Sequence, residues 1–246
     1  MSRDFYDLIA EYYEPMQSDL DPVKIAGTVD SLIKMFCQTG GEGPNGTKVL
    51  ADLGCGTGNI TASLANDFGY DTIGIDNSEG MLQVAMGNHP GLLWVKQDIR
   101  NIELYGACDV FTCLTDTLNH ITDPSDIEKI FASFKDYLVI GGLFIFDCAT
   151  MENLKDTLGD NVFFQDFDNV TLLWNNSYSD EISTSEITLF YSDNGIDYKR
   201  ADTTVYERYY SGSFWRELAE KNGMEILHKE PGFDNERDIY VLRRTR

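Results

Sequence analysis

The densest stretch of potential chemistry is Asp52-Leu-Gly54-Cys55-Gly56-Thr57-Gly58, an acid followed by three glycines at alternate positions. Glycine allows positive φ and close approach of a ligand to the backbone, and the N–H groups that open a following helix favour polar groups nearby. The dinucleotide fingerprint G-x-G-x-x-G is not met, because its third glycine falls on Asn59. A carboxylate at 52 repels a diphosphate and suits an ammonium or another cation. Asp76 and Asp98 each follow an apolar run, and a carboxylate such as Asp76, with Asn77 next to it, can accept from both hydroxyls of a vicinal diol. With only three histidines in the chain, His120 is the best-placed candidate general base. A structural histidine ahead of a helix is the competing reading.

Asp52–Gly58 resembles the first motif of class I S-adenosylmethionine-dependent methyltransferases, and specific motifs extend the likeness over about residues 48–148. The resemblance implies S-adenosyl-L-methionine as cofactor. On this likeness Asp52, Gly54, Cys55, Gly56, Thr57 and Gly58 surround it, and Asp76 and Asn77 stand at its ribose. Asp98 lies near the adenine amino group, Ile99 offers its backbone to the ring, Met81 packs on the adenine face, and Leu114 and Thr115 make backbone contacts. Tyr13 is similar to an N-terminal tyrosine that closes over the cofactor in several small-molecule enzymes, with Tyr12 as the alternative match. The stretch Thr112–His120 lacks the Asn/Asp-Pro-Pro-Tyr motif. It resembles the loop of small-molecule methyltransferases, including those that N-methylate amino sugars, where a histidine occurs near the place of His120. Val139-Ile140 depart from the family by replacing the proline before Gly141-Gly142.

The expected activity is methyl transfer to N or O of a small-molecule acceptor, with His120 and Tyr13 as catalytic candidates. A non-catalytic S-adenosylmethionine-binding protein and an aminopropyl transferase of the same fold are the alternatives. A nicotinamide-dependent reductase is disfavoured by Asn59 and by the lack of a Tyr-x-x-x-Lys pair. Asp116 and Asn119 are polar candidates on the substrate side, and Trp174, Arg200, Tyr206 and Arg208 are candidates for a substrate cavity wall.

Alternating strands and helices must position these residues. Phe5, Leu8, Ile9, Tyr12 and Tyr13 share helical spacing that Pro15 should end, and a second helix begins near Pro22. Strands are expected at 49–53, 70–75, 92–95, 109–114 and 143–146. Helices fall at 60–68 and 79–87 and after Pro124, with Ser78 a capping residue for the second. Five strands alternating with helices predict an α/β, doubly wound, seven-stranded and mostly parallel sheet, completed by strands at 224–228 and 239–242. Between them, 171–178, 181–191 and 196–210 alternate Thr, Tyr, Ile and Phe around a turn signal at Asp193-Asn194-Gly195. They predict a small antiparallel β insert of three or four strands after strand 5. The expected division is 1–46 for helices over the cofactor site, 47–150 with 211–246 for the core, and 151–210 for a substrate-side lid.

The 246 residues carry a net charge of −22, which disfavours a nucleic-acid partner. Five cysteines without C-x-x-C or metal-ligand spacing read as reduced thiols and predict no metal site. No apolar run approaches membrane-spanning length, so a cytoplasmic monomer or homodimer without membrane contact is expected.

Overall fold

The computed structural model describes residues 5–17, 19–167, 169–192, 194–234 and 236–246. The N-terminal segment is α1 (Phe5–Ile9), a 3₁₀ turn (Ala10–Tyr12) and α2 (Tyr13–Met16). Pro15 does not end this segment: it falls in the first turn of α2, where a missing N–H costs no helical bond. α3 (Pro22–Phe36) starts on Asp21, whose Oδ1 accepts from the N–H groups of Val23 and Lys24.

The core then alternates β1 (Val49–Leu53), α4 (Asn59–Asn66), β2 (Asp71–Asp76), α5 (Glu79–Asn88), β3 (Leu93–Lys96), β4 (Cys108–Cys113), α6 (Pro124–Tyr137) and β5 (Leu138–Ala149). Ser78 caps α5 as expected. Gly141-Gly142 do not form a turn before β5 but a bulge inside it, between the pairs Cys108↔Leu138 and Val110↔Leu143. A Cβ on Gly142 would come within 2.7 Å of the Asp109 carbonyl oxygen, so the bulge needs glycine there.

A π-helical turn (Glu152–Leu158) leads to β6 (Val162–Phe167), β7 (Val170–Ser179), β8 (Ile182–Tyr191) and β9 (Lys199–Arg208), a separate four-stranded antiparallel sheet in that order. The four strands agree with the expected three or four, but β6 falls outside the expected ranges, and the strand expected over 196–210 starts only at Lys199. Residues 196 and 197 instead donate their N–H groups to Asn194 Oδ1, making a turn. Asp193, in the expected turn signal, lies outside the described residues. α7 (Gly212–Lys221), β10 (Met224–Pro231) and β11 (Arg237–Arg244) return to the first sheet, whose order is β3-β2-β1-β4-β5-β11-β10. β1 to β5 pair in parallel, and β11 lies antiparallel between β5 and β10.

Strand alternation divides the core. Leu50, Val110, Leu143 and Ile145 face α3 and α4, whereas Phe111, Phe144 and Phe146 face α6 and α7. A third cluster joins Ile9, Ala10 and Met81 to Val170, Leu172, Ile187 and Leu189, so the N-terminal segment is packed between α5 and the second sheet. The order reverses between β1 and β4, and the loops leaving their carboxyl ends are where an open α/β sheet holds a ligand.

Phe131 of α6 is fully buried and meets the rings of Phe134, Phe144, Phe146 and Trp215. Phe131→Ala is expected to cost about 3–5 kcal/mol of stability, read as a lower denaturant midpoint at unchanged slope in urea unfolding.

Candidate active site

The loop after β1 has φ of +74° at Gly54, +55° at Gly56 and +82° at Gly58. A Cβ on Gly54 would meet the Thr117 side chain at 2.4 Å and one on Gly58 the Trp94 ring at 2.4 Å, whereas one on Gly56 meets nothing within 4 Å. Neighbours therefore fix the first and third glycines, and the second turns its bare face to open space. The Gly56 N–H donates to Asp76 Oδ2 at 2.8 Å, and the Ser78 N–H to Asp76 Oδ1 at 2.8 Å. That open space is a cavity of about 410 Å³. Its walls bring together Gly54, Cys55, Gly56 and Thr57 from the loop, Asp76, Asn77 and Met81 from the end of β2 and α5, and Asp98 and Ile99 after β3. Thr115, His120 and Tyr13 close the far side.

Three expected cofactor contacts stand elsewhere. Asp52 is not on the wall but buried behind the loop, where its oxygens accept the hydroxyls of Thr61 (2.5 Å) and Thr112 (2.7 Å). Burial raises its pKa and these two bonds lower it. Its work is to tie β1 to α4 and β4. Gly58 is set back as the left-handed residue opening α4 and as the space for Trp94. The Leu114 carbonyl is taken by the hydroxyls of Thr115 and Thr117, and its side chain lies in the core. Asp98 reaches the wall, but the Arg100 guanidinium grips its carboxylate and holds its pKa down.

Sequence reading missed Arg100, Tyr6, Glu14 and Asn59 on this wall. Glu14 Oε2 accepts from Asn59 Nδ2, while Glu14 Oε1 is buried and accepts no hydrogen bond among the described residues. The one available signal was Asn59 itself, the residue that breaks the dinucleotide fingerprint.

A second cavity of about 520 Å³ adjoins the first and shares Tyr6, Tyr13, Gln17, Leu20, Thr115 and His120 with it. The inner face of the second sheet walls it with Phe163, Leu172, Trp174, Ile187, Val205 and Glu207. Of the four insert residues expected there, only Trp174 lines it. Tyr206 is exposed, Arg200 pairs with Asp202, and Arg208 reaches Glu181 and the Thr122 carbonyl. Asn119 is buried and structural, donating to the Arg208 carbonyl and accepting from the Ala149 N–H. His120 Nε2 is 2.7 Å from the Tyr6 hydroxyl and 3.9 Å from Glu207 Oε1. Burial raises the pKa of Tyr6 and of Glu207.

Thr115 and Asp116 carry φ of +55° and +63°, a left-handed pair unusual for side-chain-bearing residues. Fully buried Asp147 of β5 holds both, accepting the Thr115 N–H at 3.0 Å and the Asp116 N–H at 2.9 Å. The Asp116 carboxylate in turn pairs with Arg237, whose guanidinium also binds Asp234.

The doubly wound sheet with a glycine loop at its switch point has the architecture of a Rossmann-like methyltransferase fold, here with a second cavity beside the first. Residues 50–142 match the family described as "Methyltransferase domain". A crystal structure of an S-adenosylmethionine-dependent methyltransferase from Clostridium acetobutylicum ATCC 824 superposes with a TM-score of 0.83 at 28% identity, covering 99% of this chain and 100% of that one. A Geobacillus sp. (strain WCH70) protein named as a methyltransferase is 23% identical over 94% of this chain and 93% of its own length. The sugar N-methyltransferase from Streptoalloteichus sp ATCC 53650 shares the fold, with a TM-score of 0.79 at 18% identity over 100% of this chain and 95% of that one. Residues 50–142 thus carry a methyltransferase domain, and the whole chain has the fold of an S-adenosylmethionine-dependent methyltransferase.

Burial and the Asp116 charge push the Asp147 carboxyl up to about 7, against Arg237 and the two N–H donors. Its unfolded value is near 3.8, so the native state holds this proton more tightly than the unfolded chain. The stability it contributes is complete below about pH 4 and is lost as pH rises towards 7. In urea titrations the wild-type midpoint is therefore expected to fall more steeply between pH 5 and pH 7 than that of Asp147→Asn.

Proposed function

We propose that the enzyme methylates a small molecule held in the second cavity, at nitrogen or oxygen, with His120 as the base. The observation that carries this reading is that His120, Tyr13 and Thr115 stand in the walls of both cavities. The cofactor, when bound, supplies an activated methyl group on a sulfonium. The protein's part is to align, exclude water and manage a proton.

The cofactor cavity suits its ligand. Asp76 and Asn77 would hold the ribose, Met81 and Ile99 would flank the adenine, and Gly54, Gly56 and Thr57 would hold the methionyl end beside Tyr13. Burial and the nearby Asp116 carboxylate raise the Tyr13 hydroxyl to about 12, so it stays protonated at neutral pH and acts as a hydrogen-bond donor. His120 is then the group able to take a proton. Glu207, 3.9 Å from Nε2, stabilises the imidazolium once the proton arrives.

Nitrogen is the target that the cavity charge favours. Asp19, Asp116, Glu207, Asp234 and Glu236 line the second cavity, and the guanidinium of Arg237 is already shared between Asp116 and Asp234. Such walls suit an amine that arrives as a cation, and Trp174 and Phe163, stacked with centroids 5.7 Å apart, suit an apolar or ring face. The likeness to a sugar N-methyltransferase supports an amino sugar as acceptor. The second sheet serves as the acceptor-side cover and the N-terminal helices as the cofactor-side cover. The net charge of −22 supports a substrate other than nucleic acid. Five free cysteines, three of them buried, support a cytoplasmic setting, and among the described residues no helix is long and apolar enough to cross a membrane.

Formation of S-adenosylhomocysteine is expected with amino sugars and not with the matching hydroxy sugars; turnover of hydroxy sugars alone would overturn the nitrogen assignment. With an accepted amine, His120→Ala is expected to lower kcat about a hundredfold and to change the shape of the pH–rate profile. Asp76→Ala is expected to weaken S-adenosylmethionine about tenfold by titration calorimetry, and an unchanged affinity would remove Asp76 from the site.

A further inference from the structure

We propose that Glu14, delivered by the N-terminal segment, receives the α-ammonium group of S-adenosylmethionine. The sequence points to Asp52 for this charge, but Asp52 lies behind the loop with each oxygen accepting a threonine hydroxyl. A cation taken out of water needs a counter-charge at hydrogen-bond distance. Three carboxylates line the cofactor cavity. Asp98 is neutralised by Arg100, and Asp76, bonded to the N–H groups of Gly56 and Ser78, stands at the end of β2 where the diol is expected. Glu14 remains.

Its surroundings fit the task. Oε1 is buried, and among the described residues it accepts no hydrogen bond and no lysine, arginine or histidine forms an ion pair with Glu14. Oε2 is held by Asn59 Nδ2, and Asn59 is the first residue of α4, directly after the glycine loop. The Asn59 amide is itself oriented, because its Oδ1 lies 2.7 Å from His89 Nε2. The chain His89–Asn59–Glu14 therefore sets a carboxylate against the start of α4, beside Thr57 and Gly56 of the same wall. Asn59 thus replaces the glycine of the dinucleotide fingerprint with a side chain that steers a negative charge towards the methionyl end. The segment bearing Glu14 is anchored independently, since Asp7 Oδ1 accepts the Ser78 hydroxyl at 2.6 Å and the Gly80 N–H at 2.9 Å.

Three probes separate this role from others: S-adenosylmethionine, S-adenosylhomocysteine, which keeps the ammonium but lacks the sulfonium, and 5′-methylthioadenosine, which lacks the amino-acid end. By calorimetry, Glu14→Gln is expected to weaken the first two about tenfold and to leave 5′-methylthioadenosine within about twofold. Retained 5′-methylthioadenosine binding also shows that the variant is folded. Asn59→Ala is expected to shift the same ratio by a smaller factor, and Asp52→Asn to leave the ratio unchanged whatever it does to stability. Equal weakening of all three ligands, weakening of S-adenosylmethionine alone, or no change in any of them would overturn the proposal.

Discussion

Everything at the meeting of the two cavities depends on one buried carboxylate gripping two backbone amides. Asp147, at the end of β5, accepts the N–H groups of Thr115 and Asp116 and keeps both in a left-handed conformation that costs on the order of 1–3 kcal/mol per residue. With that turn fixed, Asp116 opens the 3₁₀ turn Thr117–His120, and its side chain meets Arg237 of the neighbouring β11. Thr117 occupies the space left by Gly54, so the β4 loop and the glycine loop interlock. His120 then arrives beside Tyr6. The position of the candidate base is thus set from the sheet interior outwards, through strained backbone, and owes little to the surface around it.

The N-terminal segment contributes the other half of the arrangement. Tyr6, Tyr13 and Gln17 are wall residues of both cavities, and Glu14 is one for the cofactor cavity. This segment has little core of its own. It is held by the cluster of Ile9 and Ala10 with Met81, Leu172 and Leu189, and by the bonds from Asp7 to the start of α5. The elements around the two cavities therefore meet on the same few residues.

The sheet was legible because its strands are short apolar runs that alternate with amphipathic helices, and that pattern is local. The glycine loop was legible because few residue types can turn there, and the place of Asp76 at the end of β2 because it closes an apolar run. What was not legible was direction. Asp52 has the right type in the right motif, yet Thr61 and Thr112, nine and sixty positions along the chain, turn it into the core. Asp98 looked free until Arg100, two residues on, closed over it. Leu114 faced the loop by position, but two threonine hydroxyls took its carbonyl. β6 went unread because Val162–Phe167 alternates exposed and half-buried residues without a strong apolar face. Tyr6 and Glu14 sit far in sequence from the residues they touch, and local periodicity carries no record of such contacts.

The second sheet supplies eight wall residues to the second cavity, while no described residue of β6 to β9 lines the first. Strand geometry sends alternate side chains to opposite faces, so the shape of the second cavity is written on every second residue of a sheet that leaves the first cavity alone. Changes at Phe163, Trp174, Ile187 or Val205 can redraw the second cavity while the β1 loop stays intact. The architecture thus keeps two neighbouring cavities on separate sheets, so that one can be reshaped without disturbing the backbone that forms the other.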